Sequence, residues 1–356
     1  MKIVARILMA LMAFILSAGI ILLVSALLIG YKGKHGIETK NTIPVPQIAT
    51  EDRAYDNDKS ISSSLQEGMV IHNDTLYKYN DDLTTFLIMG IDRADEETES
   101  SENTLSAGQA DAIFLLVLNP HDTSLKIIGI NRNTMTDVDI YDQYGSYVTT
   151  ERAQIAVAHG FGDGGRESCE YEKTAVSKLF YSLPIHGYVA VSMRAIPILN
   201  DAVGGVDITP DYCFSSGEYV FNEEETIHLD GKKAAAYLRY RDVDQAASAD
   251  LRLQRQKGYL SLLLKKFMVQ NKENPDFLAK LYRELEGMMT TDVSLEETLY
   301  LAANSFDYDL SDNNFYLLKG ITNIGDEFEE FYPDEDALKD LMIDVFYEKA
   351  EAANVE

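Results

Sequence analysis

Arginine is the residue type whose placement in this sequence most suggests chemistry. The chain has 12 arginines, and four of them fall within 17 residues: Arg239, Arg241, Arg252 and Arg255. If residues 239–241 are extended, Arg239 and Arg241 point to the same side, because alternate side chains of a strand share a face. If Asp250 caps a helix, Arg252 and Gln256 lie one turn apart on one face of it.

These two pairs predict a clamp for phosphate oxygens. A guanidinium group matches such oxygens with paired hydrogen bonds, which a single ammonium group cannot do. The alternative is a solvated surface in which the arginines pair with acidic neighbours, since Asp242, Asp244 and Asp250 are close in sequence. Spacing alone leaves both interpretations open.

Carboxylates supply a possible second half of the site. Asp92 follows an apolar run that contains Gly90, and Asp111 directly precedes another apolar run. Strand ends are where open α/β sheets place ligand sites, and two carboxylates with phosphate oxygens form a usual ligand set for magnesium. Taken singly, each aspartate is more often a turn or cap residue than a metal ligand. Arg132, just after a third apolar run, could face the same opening.

Several common enzyme classes have no support in the sequence. It lacks H-E-x-x-H, paired C-x-x-C, G-x-S-x-G and the P-loop motif, and its six histidines are scattered. With 31 basic and 58 acidic residues, the formal net charge is -27, which argues against nucleic acid as a partner. The two cysteines, Cys169 and Cys213, could form a disulfide or remain unpaired thiols.

Strands and helices that could position these residues alternate along the chain. Apolar runs predict strands at 84–92, 112–119, 125–131 and 187–193, and residues 68–80 predict a hairpin around Asn73-Asp74. Helical patterns cover 172–182, 195–202, the start of 229–241, and about 251–269. The predicted fold class is therefore α/β, with a mixed central β-sheet covered by helices on both faces.

The N-terminus predicts a membrane anchor. Residues 7–29 are uncharged and mostly apolar, long enough for a hydrocarbon layer of roughly 30 Å. A cleaved signal peptide is the alternative, although its apolar region is usually about 7–15 residues long. No second long apolar run follows, and the basic residues near both ends give a small bias toward an inside N-terminus. We expect a single-pass protein of the cell membrane whose soluble domain is extracellular.

Composition divides the chain into four predicted parts. Residues 1–31 form the anchor, 32–67 a linker, 68–270 the main domain, and 271–356 an acidic extension. The extension holds 22 acidic and six basic side chains, with helical patterns near 276–288, 294–304 and 335–350. We expect a small C-terminal helical extension.

The main domain resembles the LytR-CpsA-Psr family of bacterial cell-envelope enzymes. The resemblance covers about residues 84–267 and rests on segments in the family's order: FLIMGID, QADAIFLLVLNP, IIGINRNTM, LNDAVGGVDI, HLDGKKAAAYLRYRD and DLRLQRQ. The last three are specific in combination. The predicted anchor also fits this family.

The resemblance implies an Mg²⁺-dependent phosphotransferase. Such enzymes move a glycopolymer, for example a teichoic acid or a capsular polysaccharide, from a polyprenyl-pyrophosphate carrier to peptidoglycan, and the lipid tail lies in an apolar tunnel between sheet and helices. By matching position, Asp92 and Asp111 would bind the metal. The catalytic residues that contact the pyrophosphate would be Arg132, Arg239, Arg241, Arg252 and Gln256. Arg255 and Arg93 would assist substrate binding.

The sequence departs from the family pattern at two places. Gln109 stands where the family usually has arginine in R-S-D-T, and Asn133 stands where it has aspartate in P-R-D-T. The insert between Asp92 and Asp111 is long and acidic. These departures leave an alternative function open, a binding module that holds polyprenyl-pyrophosphate-linked intermediates or wall glycans without turnover.

Overall fold

A computed structural model of the protein describes residues 30–40, 45–48, 67–92, 107–119, 121–242, 247–304, 311–325 and 328–350. The predicted membrane helix at 7–29, Arg93 and most of the acidic insert lie outside the described residues. Within the described ranges, no helix combines the length and the apolar composition that a membrane crossing requires.

Strands and helices alternate along the described chain. The strands are β1 (Met69–His72), β2 (Thr75–Tyr79), β3 (Thr84–Asp92), β4 (Gln109–Asn119), β5 (Ser124–Ile130), β6 (Met135–Tyr141), β7 (Tyr147–Gln154), β8 (Gly187–Ser192), β9 (Val206–Ile208), β10 (Phe214–Ser216), β11 (Tyr219–Phe221), β12 (Ile227–Leu229), β13 (Met289–Thr291), β14 (Phe315–Leu317), β15 (Gly320–Ile324), β16 (Glu329–Pro333) and β17 (Tyr347–Lys349). The helices are α1 (30–40), α2 (Arg166–Leu179), α3 (Ile196–Ala202), α4 (Gly231–Arg239), α5 (Ser248–Glu273), α6 (Phe277–Glu284), α7 (Leu295–Asn304) and α8 (Glu335–Phe346). Short 3-10 helices lie at Ile155–Phe161, Met193–Ala195 and Asp312–Asn314.

The central sheet has six strands in the order β13-β8-β3-β4-β5-β14. β3 runs parallel to β8 and antiparallel to β4, and β5 runs parallel to β14, so the sheet is mixed. The four apolar runs of the sequence form β3, β4, β5 and β8, and the predicted hairpin forms β1 and β2. The predicted fold class, a mixed central sheet with helices, is confirmed.

The two faces of this sheet are packed differently. Leu87, Met89, Ile113 and Leu115 on one face are fully buried in a core that includes residues of α2 and α8. Alternate residues of β3 and β4 point to the other face, where α5 packs. Several apolar side chains on that second face remain only partly buried, and this difference bears on the site described below.

Helix α1 packs on the domain where the sequence predicted the start of a linker. Its Ile37 is buried beside Phe86 and Val293, and Lys40 Nζ lies 3.3 Å from a carboxylate oxygen of Glu297. Gly33 allows close contact, because a Cβ atom there would lie 2.4 Å from the Glu296 carbonyl oxygen. Packing against α7 therefore stabilises a helix that composition alone does not predict.

The region after residue 271 is an integral part of the fold, so the prediction of a small helical extension is wrong. The predicted helices exist as α6, α7 and α8, but β13 and β14 form both edges of the central sheet. In addition, β17 pairs with β2, and β15 pairs with β16. Three-residue strands are too short to show a period of two, and the acidic composition concealed them.

The two cysteines are free thiols. Cys169 is buried in α2, and Cys213 is exposed just before β10. Burial raises the pKa of the Cys169 thiol to about 12, so it stays protonated at neutral pH. Of the two alternatives that the sequence left open, the structure contains unpaired thiols.

Candidate active site

Asp111 lies at a β-bulge between β3 and β4. Ile91 pairs with Ala110 and Gly90 pairs with Ala112, so Asp111 is an extra residue without a partner across the ladder. An extra residue of this kind bends its strand and changes the direction of its side chain. The bulge holds the Asp111 carboxylate, 16% exposed, near the end of the strand.

Arg132 reaches this carboxylate from the neighbouring strand. It follows β5, and its Nη1 lies 2.7 Å from Asp111 Oδ1, while its Nη2 donates to the side chain of Gln109. Ala156 donates its amide to the Arg132 carbonyl at 3.2 Å, which fixes the loop that carries the arginine. The Gln109 departure from the family pattern therefore supplies an acceptor for Arg132.

Arg252 approaches the same carboxylate from helix α5. Its Nη1 donates to Asp111 Oδ2 at 3.0 Å, so each oxygen of Asp111 accepts from a different arginine. Gln256 lies buried one turn further along α5, as the helical spacing predicted. Arg132, Arg252 and Asp111 thus come together from three separate parts of the chain.

Asp250 does not cap α5, contrary to the sequence prediction. The helix begins at Ser248, after Ala247 in the left-handed conformation with φ 57°. The Asp250 carboxylate instead accepts from Asn131 Nδ2 at 2.5 Å and from Thr322 Oγ1 at 2.9 Å. Tertiary hydrogen bonds have replaced the cap, and they tie α5 to the loop after β5 and to β15.

Arg241 is held beside the cluster by a residue that the sequence did not suggest. Its Nε donates to Ser248 Oγ at 2.9 Å, and its Nη2 lies 3.0 Å from Glu329 Oε2 on β16. The same Glu329 oxygen accepts from Asn133 Nδ2 at 3.4 Å, and Gln154 Nε2 donates to the Glu329 carbonyl at 2.7 Å. The hairpin β15–β16 therefore adds a carboxylate next to Asn133, where the family pattern usually has aspartate.

The arginines leave donor atoms available in a confined space. Arg132 Nε and Arg252 Nη2 are buried and lack a hydrogen-bond partner among the described residues. Burial lowers the pKa of Arg132 most strongly, the charge of Asp111 opposes this shift, and the charges of Arg252 and Arg241 add to it. Arg132 is therefore close enough to Arg252 and to Arg241 to be repelled by both. Unpaired buried donors and mutual repulsion both favour binding of an anion with several oxygen atoms.

Glu172 lies buried beside Arg132 without cancelling this positive charge. Its Oε2 accepts from the His159 amide at 3.0 Å, and its Oε1 has no partner in the described part of the chain. Burial raises the pKa of Glu172 to about 8. At neutral pH the side chain is therefore mostly protonated and uncharged.

The carboxylates predicted to bind magnesium lie on adjacent strands. Asp92 ends β3, is exposed, and pairs with Gln109, two residues before Asp111. Both oxygens of Asp111 accept from arginine, yet each retains a lone pair. No group of three metal-ligating side chains converges within the described ranges. Binding of Mg²⁺ by these two carboxylates, with further ligands from substrate oxygens and water, therefore stays a prediction.

Two of the predicted arginines lie apart from the cluster. Arg239 is exposed as the last residue of α4, so residues 239–241 do not form the extended alternation that the sequence suggested. Arg255 packs 5.1 Å from the centroid of the Phe214 ring and donates to the carbonyl oxygens of Tyr237 and Tyr240. These contacts hold the end of α4 directly before Arg241.

Sequence reasoning missed Glu329 and Glu172 for different reasons. Glu329 reaches the site only through packing of β16 on the loop after β5, which no local spacing reveals. Glu172 offered a signal, because buried Cys169 and Val176 lie one turn before and after it on α2. A carboxylate in the apolar stripe of a helix indicates a buried, perturbed group.

A partly exposed apolar surface extends from the arginine cluster. Its side chains lie on α5, on the sheet face beneath it and on β14: Ile88, Ala112, Leu116, Leu118, Leu260, Leu264, Met268 and Leu317. Ala112 directly follows Asp111, and Leu260 lies one turn after Gln256. The apolar surface therefore begins where the polar site ends.

The structure thus has a mixed α/β fold with a cluster of buried arginines beside a partly exposed apolar surface. The chain belongs to the LytR_cpsA_psr family, whose family model matches residues 47–322. This match confirms the resemblance found in the sequence motifs. Glu329 lies beyond the matched residues.

Two curated relatives have the name polyisoprenyl-teichoic acid–peptidoglycan teichoic acid transferase TagU. The protein of Bacillus mycoides is 27% identical over 182 residues, 51% of this chain and 52% of its own length. The protein of Halalkalibacterium halodurans is 29% identical over 160 residues, 45% of each chain. This chain thus spans about half the length of the curated relatives it matches.

The fold is also similar to a solved structure. The crystal structure of TagV from B. subtilis matches 74% of this chain and 96% of its own, with a TM-score of 0.57 and 22% sequence identity. At this identity the match supports the mixed α/β fold alone.

Proposed function

We propose that this chain is an Mg²⁺-dependent phosphotransferase. It moves a glycopolymer of the teichoic acid or capsular polysaccharide class from a polyprenyl-pyrophosphate carrier to peptidoglycan. The observation that carries the proposal is the set of arginines around Asp111, with buried unpaired donors at Arg132 Nε and Arg252 Nη2. Family membership and the names of the curated relatives support it.

We assign the arginines of the site to the pyrophosphate and the aspartates to the metal ion. Arg132, Arg241 and Arg252 hold pyrophosphate oxygens by charge-assisted hydrogen bonds, with Gln256 beside them. Asp92 and Asp111 would hold Mg²⁺, which supplies further neutralisation of phosphate charge. Arg239, exposed at the end of α4, would contact the substrate outside the cluster. Arg93, which lies outside the described residues, would assist substrate binding.

The reaction is phosphoryl transfer by positioning and charge stabilisation. A sugar hydroxyl of peptidoglycan attacks the phosphorus attached to the glycopolymer and loses its proton. The bond from that phosphorus to the bridging oxygen breaks, and polyprenyl phosphate leaves with the electron pair. Arginines placed around the pyrophosphate stabilise the charge that develops on the leaving phosphate.

The partly exposed apolar surface along α5 gives the lipid a place to bind. Leu116, Leu260 and Leu264 lie on it within reach of the polar site. Burying isoprene units there would remove apolar surface of both partners from water. The predicted N-terminal anchor would hold the domain at the outer face of the cell membrane, where lipid carrier and peptidoglycan meet.

The departures at Gln109 and Asn133 are accommodated in the site. Gln109 accepts from Arg132, and Asn133 donates to the carboxylate of Glu329. The site thus keeps a carboxylate in this region and loses one cation. Both replacements are therefore compatible with turnover, and the transfer assay below distinguishes it from binding alone.

A transfer assay with the purified full chain tests the proposal. The donor is a polyprenyl-pyrophosphate-linked saccharide, the acceptor is a peptidoglycan fragment, and the product is a phosphodiester-linked conjugate. We expect conjugate formation with Mg²⁺ and its loss in excess chelator or in Asp111→Asn. Asp137→Asn, an exposed aspartate on β6, is the matched control. Tight donor binding without any conjugate would instead support the binding module.

A further inference from the structure

A cleft of about 510 Å³, separate from the arginine cluster, follows α5 between β9 and β14. Three cationic side chains line it, Arg255, Lys257 and Lys265, against one acidic side chain, Asp211. Arg255 is buried and donates to protein oxygens, so it contributes its charge, and Lys257 donates a 3.4 Å hydrogen bond to the Phe315 carbonyl oxygen. The chain as a whole has a formal net charge of -27, so this concentration of positive charge runs against its composition. A cleft with these cations favours an anionic ligand.

Gly258 lies in the wall of this cleft, in the middle of the 26-residue helix α5. Glycine is unfavourable inside a helix because it loses the most backbone freedom on folding. A Cβ atom at Gly258 would meet nothing within 4 Å in the described part of the chain, unlike one at Gly33 or Gly129. Packing within the described protein therefore does not explain this glycine. The open space next to Gly258 leaves room for a ligand to approach the helix backbone closely.

The other lining residues indicate the kind of ligand. Ile208, Leu262 and Leu317 offer apolar contacts, and Tyr237 adds an aromatic side chain. Sugar rings have apolar faces and polar edges, so they suit a mixed surface of this type. The volume is within the range of about 300–1,000 Å³ that is usual for ligand pockets.

We propose that this cleft binds an anionic glycan chain, with phosphate or carboxylate groups next to Lys257 and Lys265 and with sugar rings against Gly258. The inference deepens the proposed function, which supplies the two possible sources of such a chain. These are the glycopolymer of the donor and the peptidoglycan acceptor.

Arg255 connects the cleft with the candidate active site. It lines the cleft, and its guanidinium group helps hold the end of α4 by donating hydrogen bonds to the carbonyl oxygens of Tyr237 and Tyr240. Arg241 directly follows Tyr240 in the chain. A glycan in the cleft would thus contact the same structural unit that positions Arg241.

Direct binding to the full chain tests the inference without any transfer reaction. The probes are a lipid-free poly(alditol phosphate) oligomer, a soluble muropeptide and a neutral dextran oligomer, each measured by calorimetry. We expect one of the two anionic probes to bind and the neutral probe not to bind. The probe that binds identifies the source of the glycan.

Variants show whether binding of the anionic probes depends on the residues of the cleft or only on general electrostatic attraction. Gly258→Leu should weaken binding at least 10-fold while raising the melting temperature, because leucine is a far better helix former. Lys257→Gln with Lys265→Gln should weaken it about 10-fold, since charge-assisted contacts are lost. Lys272→Gln with Lys280→Gln removes equal charge from exposed positions outside the cleft and should leave affinity unchanged.

Two results would overturn the inference. One is that neither anionic probe binds at millimolar concentration. The other is that Gly258→Leu and the Lys257/Lys265 variant bind as tightly as the natural protein. Loss of transfer with every donor, together with intact and cleft-dependent glycan binding, would refute the proposed function and leave the cleft assignment standing.

Discussion

The guanidinium groups around Asp111 offer hydrogen-bond donors in a fixed planar geometry as well as positive charge. Arg132 and Arg252 each contact one carboxylate oxygen, and each has a buried donor left for a ligand. An exposed arginine paired with an aspartate is worth roughly 0–1 kcal/mol. An arginine that binds pyrophosphate in a preorganised site contributes on the order of 2–4 kcal/mol to transition-state stabilisation.

Arg→Lys substitution at these positions distinguishes the two roles. Arg132→Lys, Arg241→Lys and Arg252→Lys keep the charge and lose the planar pair of donors. We expect each to lower kcat/KM for transfer by roughly 10²–10³-fold, by analogy with removal of one donor from such a site. Arg283→Lys, at an exposed position on α6, is the control and should transfer normally. Near-normal transfer by all three cluster variants would mean that these arginines do not bind the pyrophosphate.

Glu172 should make the stability of the protein depend on pH. Burial raises its pKa to about 8 in the folded chain, whereas an unfolded glutamate has a pKa of about 4.3. Between these values the folded state holds a proton that the unfolded state has lost. The free energy of unfolding should therefore fall as pH rises through this window, by on the order of 4–5 kcal/mol in total.

Glu172→Gln removes this contribution, because glutamine is uncharged at every pH. We expect the unfolding free energy of the variant, measured by urea denaturation, to fall less between pH 5 and pH 8 than that of the natural protein. Glu167→Gln, exposed on the same helix, should keep the natural slope. Equal slopes for all three proteins would show that Glu172 is ionised in the fold.

At the scale of elements, the hairpin β15–β16 positions one of the arginines of the site. It packs on the loop after β5, where Phe331 donates its amide to the Asn133 carbonyl at 2.9 Å, and it carries Glu329 to Arg241. The exposed hydrophobic side chains Ile324 and Phe328 lie near its turn. The hairpin therefore borders the site and fixes one of its three arginines.

Glu329→Gln should weaken that arrangement. The variant keeps the shape of the side chain and loses the charge that orients Arg241 at 3.0 Å. We expect kcat/KM for transfer to fall about 10-fold, since the charge-assisted contact is roughly twice as strong as a neutral one. Glu329→Asp should recover part of the loss, and Glu330→Gln on the same strand should have no effect. A Glu329→Gln enzyme with unchanged kinetics would limit the hairpin to a structural role.

Element prediction succeeded where the sequence signal was local and long. The runs that became β3, β4 and β5 are seven to eleven residues long, and continuous apolar runs of this kind indicate buried strands. The edge strands β13 and β14 have three residues each and form only against β8 and β5. Such strands are stabilised by partners distant in sequence, so no local pattern revealed them.

The site residues were likewise predictable where they depend on one local element and not where they depend on distant contacts. The spacing of Arg252 and Gln256 depends on one helix, and the structure has both on the buried side of α5. The expected alternation of Arg239 and Arg241 required an extended segment, but α4 continues through Arg239. Glu329 could not be predicted, because it reaches Arg241 through the packing of a hairpin 88 residues away in sequence.

At the scale of the whole molecule, unequal packing of the two sheet faces suggests a lipid channel. One face is fully buried, whereas the face under α5 keeps partly exposed apolar side chains next to the site. Fully packed interiors leave few such gaps. We expect protein purified under mild conditions from a bacterial host to retain a polyprenyl phosphate, detectable by native mass spectrometry.

Leu264→Asn tests where the lipid binds. This polar side chain on the apolar surface should reduce lipid retention, whereas Val269→Asn, at a position on α5 that is 54% exposed, should not. Melting temperatures of both variants check that the fold is intact. A natural protein that neither retains nor takes up polyprenyl phosphate would exclude the channel.

If the arginine cluster holds the donor pyrophosphate during transfer, the polymer-side phosphorus moves to peptidoglycan. An isotope label follows that phosphorus directly. A donor labelled with ³²P only at that phosphorus is incubated with Mg²⁺, a peptidoglycan fragment and either the full chain or its Arg252→Lys variant. We expect the label to move to the peptidoglycan conjugate with the natural protein and to stay on the donor with the variant. Label that remains with the lipid while the glycan is transferred, or equal transfer by both proteins, would contradict it.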